Sequence, residues 1–194
     1  MLKAVKMFIM ILKNRLRIFF HNIYRSSNIQ VESYQFNGSF IVMGRGRVVF
    51  EKGVRINSSR KSNPIGGDDK TTFFVSENAK IHVGMNSGIS NSTLYAATKI
   101  TIGNDVKIGG SSKIYDTDFH SLDSALRKDS KTDVANCLPV NIEDDVFIGA
   151  HTIILKGVNI GAKSIVAAGS VVVKSIPSGE VWGGNPAKFI READ

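Results

Sequence analysis

Aliphatic residues recur at every sixth position near the C-terminal end of this chain, and this spacing constrains its fold more than any other feature. The unbroken series is Ile142, Ile148, Ile154, Ile160, Val166 and Val172. A period of six fits neither an amphipathic helix nor an alternating strand. It fits a column with three flat faces, in which each face is a short strand followed by a corner. The series therefore predicts a parallel β-helix with the aliphatic side chains stacked inside.

The same spacing continues towards the N-terminus, with one long interruption. The matching residues are Val83, Ile89, Ile102, Ile108 and Ile114, and a weaker series runs over residues 41–56. Between residues 114 and 142 the rhythm stops. Because an insertion of that length in a regular solenoid is typically functional or disordered, the gap predicts a protruding loop over 115–140.

The pattern predicts an all-β fold in three segments. Residues 1–25 are expected to form a basic amphipathic helix, residues 26–176 the β-helix with its loop, and residues 177–194 a tail. The tail is expected to fold back at Pro177 and to end in a small helix after Pro186.

The first segment concentrates the charge of the chain. It holds six basic residues and no acidic one, which accounts for most of the net charge of +8. Its apolar run is too short to span a bilayer, and it lacks a signal-peptide cleavage site. Two interpretations stay open. The helix packs on the solenoid and covers an exposed edge, or it lies in the cytoplasmic leaflet as a peripheral anchor, with its basic residues on anionic headgroups.

The remaining composition argues against two classes of protein. Cys137 is the only cysteine of the chain, so no internal disulfide can form, which favours a reducing, cytoplasmic location. The solenoid shows no basic stripe interleaved with aromatic residues, so nucleic-acid binding is not expected.

A histidine flanked by carboxylates opens the protruding loop, in the sequence Asp116-Thr-Asp-Phe-His120. A histidine held at the edge of a rigid scaffold is suited to general-base catalysis. A nearby carboxylate, here Asp118 or Asp116, would fix the tautomer and stabilise the imidazolium. The alternative is an ordinary solvated histidine.

Three features together resemble the hexapeptide-repeat acyltransferases: the hexads, the loop with His120, and the ending Val181-Trp-Gly-Gly-Asn-Pro-Ala-Lys-Phe-Ile-Arg191. The chain is most similar to the O-acetyltransferases of the maltose and galactoside type, which include enzymes that modify cell-surface polysaccharides. The resemblance implies a left-handed β-helix, a homotrimer, and acetyl-CoA bound in the cleft between adjacent prisms, with no metal. It also implies that His120 takes the proton from a sugar hydroxyl.

The resemblance carries the donor site over position by position. The implied contacts of acetyl-CoA are Ala150, Ala168, Val173, Lys174, Lys188 and Arg191. The two alanines would meet the pantetheine arm through their backbone, as an added strand would. Lys188 and Arg191 would meet the CoA phosphates. Trp182 either covers the adenine or packs the tail.

The acceptor site departs from the sugar-specific pattern. Ile89 stands where those enzymes have an asparagine, alanines replace their acidic residues, and Asn91 is the remaining candidate. These changes argue against free maltose or galactoside as the acceptor. We therefore expect acetyl transfer to a hydroxyl of a cell-surface glycan or its precursor, such as O-antigen, capsule or exopolysaccharide.

Other functions on the same scaffold stay open. An N-acetyltransferase acting on an amino sugar and an antibiotic acetyltransferase would share the fold and the donor. A γ-type carbonic anhydrase would need three histidine ligands on a metal, for which His82, His120 and His151 are the available residues. A non-enzymatic adaptor would explain the N-terminal segment, but neither the histidine loop nor the tail.

Overall fold

The computed structural model describes residues 28–31 and 34–193. It also describes seven separate positions with helical backbone nearer the N-terminus: Val5, Phe8, Ile9, Leu12, Lys13, Arg15 and Leu16. The rest of the helix predicted over 1–25 lies outside the described residues. No helix among the described residues is long and apolar enough to cross a membrane.

Three parallel sheets form the three faces of a column. Sheet A contains β1 (Asn28–Val31), β4 (Arg47–Phe50), β7 (Lys80–Val83), β10 (Lys99–Ile102), β13 (Val140–Ile142) and β16 (Asn159–Ile160). Sheet B contains β2 (Tyr34–Gly38), β5 (Val54–Ser58), β8 (Gly88–Ser90), β11 (Lys107–Ile108), β14 (Phe147–Ile148), β17 (Ile165–Val166), β19 (Glu180–Gly184) and β20 (Ala187–Glu192). Sheet C contains β3 (Ile41–Gly44), β6 (Thr72–Val75), β9 (Thr93–Ala96), β12 (Lys113–Tyr115), β15 (Ile153–Ile154) and β18 (Val171–Val172).

The hexad residues form the core of this column, as predicted. On sheet B, Ile108 lies in register with Ile148, which lies in register with Val166. Their side chains are buried. Each residue therefore packs on its equivalent in the next turn, and burial of these apolar ladders is the main force that holds the turns together.

The N-terminal end of the column has a cluster of phenylalanines in its core, beside aliphatic residues such as Val48, Val54 and Ile56. Phe36, Phe40, Phe50 and Phe73 are buried, and their rings meet edge to face, with centroids 4.6 Å apart for Phe36 and Phe40 and 5.2 Å for Phe50 and Phe73. Edge-to-face contact suits the ring quadrupoles. Phenylalanines take some of the inward positions of these turns, which explains why the aliphatic spacing is weak over 41–56.

The C-terminal tail differs from the prediction, because no helix forms after Pro186. Residues Glu180–Gly184 add a parallel strand to sheet B, and Ala187–Glu192 pairs antiparallel with that strand. Trp182 lies in register with Val166 and packs against the core. The column thus ends in a hairpin, and the tryptophan covers the last aliphatic layer.

Two segments leave the column at its corners. Residues 116–139 separate β12 from β13, close to the predicted bounds, and contain a 3₁₀ turn at Leu126–Lys128. Residues 59–71 separate β5 from β6 and contain a second 3₁₀ turn at Pro64–Gly66, capped by Asn63. The hexad spacing did not predict this second loop.

Candidate functional site

The protruding loop is fixed at its base. Thr117 and Cys137 form an antiparallel bridge, and the Asp118 backbone N–H donates to the Asn136 carbonyl at 3.1 Å. The Lys156 ammonium on the column lies 3.0 Å from an Asp118 carboxylate oxygen, and both side chains are about four-fifths buried, at 20% and 19% exposed. The loop is therefore an ordered extension of the column.

Phe119 connects the loop to the outer face of sheet C. Its φ is +64°, which is unfavourable for a bulky residue and is kept only where the surroundings enforce it. Its backbone N–H donates to the Thr117 hydroxyl. Its ring meets Tyr95 at 4.9 Å and Tyr115 at 5.3 Å, and Tyr95 in turn stacks on Phe74 at 4.3 Å. This aromatic support fixes the backbone immediately before His120.

His120 forms a dyad with Asp133, a residue from the far side of the same loop. The His120 Nδ1 and an Asp133 oxygen are 2.6 Å apart, and the other Asp133 oxygen accepts the Ser121 backbone N–H at 2.7 Å. The imidazole is 66% exposed, whereas the Asp133 side chain is 15% exposed. With Nδ1–H donating to the carboxylate, the neutral ring carries its lone pair on Nε2.

The dyad also affects the titration of its carboxylate. The hydrogen bond from His120, followed by the one from the Ser121 backbone, lowers the pKa of Asp133 below its usual value. Both bonds favour the charged carboxylate. Asp133 therefore stays ionised over the pH range in which an imidazole works as a base.

The two carboxylates predicted to orient His120 have other partners. Asp116 is fully buried and accepts hydrogen bonds from the backbone N–H groups of Ala97, Thr98 and Lys99, so it closes a corner of the column. Asp118 pairs with Lys156. The orienting carboxylate is Asp133, thirteen residues downstream of His120. Its position within a non-periodic loop gave no sequence signal for this contact.

Four of the six predicted donor residues lie in two groups beside sheet C. Ala150 and Ala168 lie on successive turns at the corner before the sheet, where the Gly169 backbone N–H donates to the Ala150 carbonyl at 2.8 Å. The turns approach so closely that a Cβ on Gly149 would lie 2.4 Å from the Ala168 nitrogen. Val173 and Lys174 follow β18 at the far edge and are exposed.

The terminal hairpin lies above the first of these groups. Lys188 faces Gly183 in the hairpin, and a Cβ on Gly183 would lie 3.0 Å from the Ala167 Cβ. Lys188 and Arg191 are exposed. One corner of the column, towards its C-terminal end, therefore carries Ala150, Ala168 and Lys188. Arg191 pairs with Val181 further along the hairpin.

Asn91, the predicted acceptor residue, is fully buried. Its Nδ2 donates to the Asp69 carbonyl at 2.5 Å, while its Oδ1 has no hydrogen-bond partner among the described residues. Loop 59–71 covers it closely, since a Cβ on Gly66 would lie 2.2 Å from the Asn91 Cβ. The structure thus corrects this assignment, because Asn91 supports a loop and is not available to an acceptor.

The three histidines that the structure describes do not converge on a metal site. His82 lies 2.8 Å from a Glu51 oxygen on sheet A, His120 pairs with Asp133, and His151 sits exposed at a corner. Among the described residues, no three histidine, cysteine or acidic side chains are grouped so that they could hold a metal ion.

Comparison with known proteins supports the family resemblance. The family model for the hexapeptide repeat of succinyl-transferase matches residues 139–174. A 56-residue segment is 59% identical to the 2,3,4,5-tetrahydropyridine-2,6-dicarboxylate N-acetyltransferase of Clostridium perfringens. This match spans 29% of the chain and 24% of the relative, so it covers only a minor part of that protein.

Solved structures show the same architecture over more of the chain. A hexapeptide-repeat acetyltransferase of Vibrio cholerae in complex with acetyl coenzyme A is 27% identical, covers 93% of the chain and 78% of its own, and has a TM-score of 0.53. A maltose O-acetyltransferase of Clostridium difficile is 28% identical, covers 83% of the chain and 71% of its own, and has a TM-score of 0.54. The shared fold is the left-handed parallel β-helix.

Proposed function

Since the chain belongs to the hexapeptide-repeat family, we propose that it is an acetyltransferase that moves an acetyl group from acetyl-CoA to a hydroxyl of a cell-surface glycan or its precursor. The observation that carries this proposal is the dyad of His120 and Asp133 on a rigid loop. A neutral imidazole with a free Nε2, oriented by an ionised carboxylate, is a general base poised for a hydroxyl.

The proposed reaction is a direct transfer. His120 Nε2 accepts the hydroxyl proton as the oxygen attacks the thioester carbonyl and forms a tetrahedral oxyanion. Collapse of the oxyanion breaks the carbon–sulfur bond, and the leaving thiolate takes the proton from the imidazolium. Asp133 stabilises that imidazolium throughout. Holding the hydroxyl and the thioester together contributes further, because it removes the entropic cost of their encounter.

The donor site proposed for acetyl-CoA runs from the corner between sheets B and C to the terminal hairpin. The backbone groups at Ala150 and Ala168 would bind the pantetheine arm, and the exposed Lys188 and Arg191 would bind phosphates. The solved relative in complex with acetyl coenzyme A supports this choice of donor. In the proposed homotrimer this edge of one column would face the next column, so the cleft would be shared.

The experiment that tests the function compares surface glycans by mass spectrometry. A strain that lacks this protein should lose the mass of an acetyl group from one surface polymer, and the intact protein should restore it. His120→Ala should fail to restore it, whereas the control His82→Gln, on sheet A and away from the loop, should succeed. If His120→Ala restored acetylation fully, His120 would not be the base.

The bond formed distinguishes this function from its alternative. The Clostridium perfringens relative is named as an N-acetyltransferase, so transfer to an amine is the second candidate. An acetyl ester is removed by alkaline hydroxylamine, whereas an acetamide resists it. Loss of the added mass under that treatment would support the hydroxyl acceptor, and its persistence would support the amine.

We further propose that the N-terminal segment docks on a membrane surface. The described apolar residues Val5, Phe8, Ile9, Leu12 and Leu16 recur at helical spacing on one face, and each is at least 45% exposed. Lys13 and Arg15 lie beside them, and such a segment suits the anionic cytoplasmic leaflet. Full-length protein should sediment with vesicles containing anionic phosphatidylserine, and protein lacking residues 1–25 should remain in the supernatant.

A further inference from the structure

A cationic cavity lies on the outer face of sheet B, on a different face from the loop that carries His120. It encloses about 260 Å³, close to the lower end of the range for ligand pockets, about 300 Å³. Its lining includes Arg55, Asn57, Gly88, Ser90, Lys107 and Phe147. The functional assignments above use none of these residues.

The cavity forms over a glycine whose strand lies between two strands that each carry a cation. Gly88 lies in register with Arg55 on one side and with Lys107 on the other. Among the described residues, a Cβ at Gly88 would meet only the Lys107 side chain, at the ordinary contact distance of 3.7 Å, so the glycine leaves room over the strand. Neighbouring strands are about 4.8 Å apart, and the two cationic positions therefore flank an opening about 10 Å wide.

The charge of the cavity is not balanced within the described part of the chain. Neither Arg55 nor Lys107 takes part in an ion pair there, and the lining contains no carboxylate. The Lys107 ammonium donates to the Asn86 carbonyl, at 3.1 Å. Two cations facing one gap repel each other, and an oxyanion between them would relieve that repulsion and bind both.

The other side chains of the cavity suit a sugar. Asn57 Nδ2 donates to Ser90 Oγ at 3.2 Å, which leaves the Ser90 hydroxyl proton free to donate to a ligand. Phe147 is 49% exposed and forms an apolar wall beside these polar groups. Such a combination can hold ring hydroxyls on one side and the apolar face of a sugar ring on the other.

We propose that this cavity binds an acidic sugar residue of the acceptor, with its carboxylate or phosphate between Arg55 and Lys107. That an anion binds here follows from the cavity itself; that the anion belongs to the acceptor rests on the proposed function. Ile89 and Asn91 occupy the positions where the sugar-specific enzymes would bind hydroxyls, and both side chains are fully buried. This agrees with an acceptor that is recognised by its charge. Since His120 leaves the column from sheet C, the proposed trimer would have to bring the cavity of one copy to the loop of another.

The test measures binding without catalysis. Ligand-observed NMR on the full-length protein would compare glucuronic acid and glucose 1-phosphate with glucose, which lacks only the anion. We expect one or both anions to bind about tenfold more tightly than glucose, and the preference to weaken with added salt. Arg55→Gln and Lys107→Met should each reduce it, whereas Lys99→Met, which removes the same charge from sheet A, should not.

Three results would overturn the proposal: equal binding of the acids and glucose, no detectable binding of either anion, or a preference that persists in both cavity variants. CoA affinity, measured by calorimetry on the same variants, separates the two sources of an anion. It should be unchanged in Arg55→Gln. A parallel loss of CoA binding would mean that the cavity takes a donor phosphate, and would refute its assignment to the acceptor while leaving the proposed transferase function intact.

Discussion

The contact between His120 and Asp133 predicts that the two residues act as one unit. General-base catalysis contributes about 10²–10⁴-fold to a rate, which sets the loss expected for His120→Ala. Asp133 acts only through one hydrogen bond to a ring that is 66% exposed, so Asp133→Ala should cost less, about 10- to 100-fold. The double variant should be no slower than His120→Ala, because the carboxylate has no effect once the imidazole is absent.

Two measurements would check this. Release of the CoA thiol in the presence of the acceptor gives kcat and KM for each variant, and the loss should fall on kcat. Long-range proton–nitrogen NMR then identifies which ring nitrogen carries the proton. The wild-type ring should be protonated at Nδ1, and Asp133→Ala should shift the population towards Nε2–H.

Ser121→Ala is a suitable control for the dyad, since it removes only a hydroxyl and keeps the backbone N–H that holds the second Asp133 oxygen. It should leave the tautomer unchanged. Coupling of the two residues is refuted if the Asp133→Ala variant has the wild-type kcat, or if adding Asp133→Ala to His120→Ala lowers kcat further by a similar factor. The second result would show that Asp133 acts independently of the imidazole.

Three further predictions follow from the core, the donor edge and the dyad. Ile148→Ala removes a fully buried side chain between two layers of the ladder and should lower the free energy of unfolding by about 2–5 kcal/mol, measured by urea denaturation; a change below 1 kcal/mol would contradict the packing. Charge reversal at Lys188 and Arg191 should weaken CoA binding in calorimetry, most strongly at low salt, and equal affinity at all salt concentrations would remove them from the donor site. Because the pKa of Asp133 is lowered, the stabilisation it gives the loop is fully present above the usual carboxylate range and is lost as the pH falls through the lowered value; NMR signals of the loop should report this change, and a loss of structure at neutral pH would contradict it.

Some features of the structure could be predicted from local pattern alone. A period of six places a residue inside at every turn, so the aliphatic ladder and the limits of loop 116–139 follow from spacing. The predicted edge position of His120 also agrees with the structure, since it follows directly from the place where the rhythm stops. Loop 59–71 was not predicted because it lies among turns where phenylalanines share the core with aliphatic residues, so the aliphatic spacing is weak there.

Other features depend on contacts between residues that are distant in sequence. Asp116 and Asp118 are the carboxylates nearest to His120 in the chain, yet backbone N–H groups and Lys156 hold them. The tail pairs as a strand because sheet B offers an unpaired edge, which no helix propensity in residues 187–192 could reveal. Asn91 looks polar and available in the sequence, but a loop from the preceding turn buries it.

The sequence by itself determined the column, because the inward positions of a regular solenoid repeat along the chain and need no knowledge of distant partners. The tertiary structure decided which carboxylate meets His120, how Phe119 is held, and where two cations face an open glycine. Those arrangements arise where a loop folds back on itself or where neighbouring turns come into register. Both bring together residues whose separation in the chain carries no periodic signal.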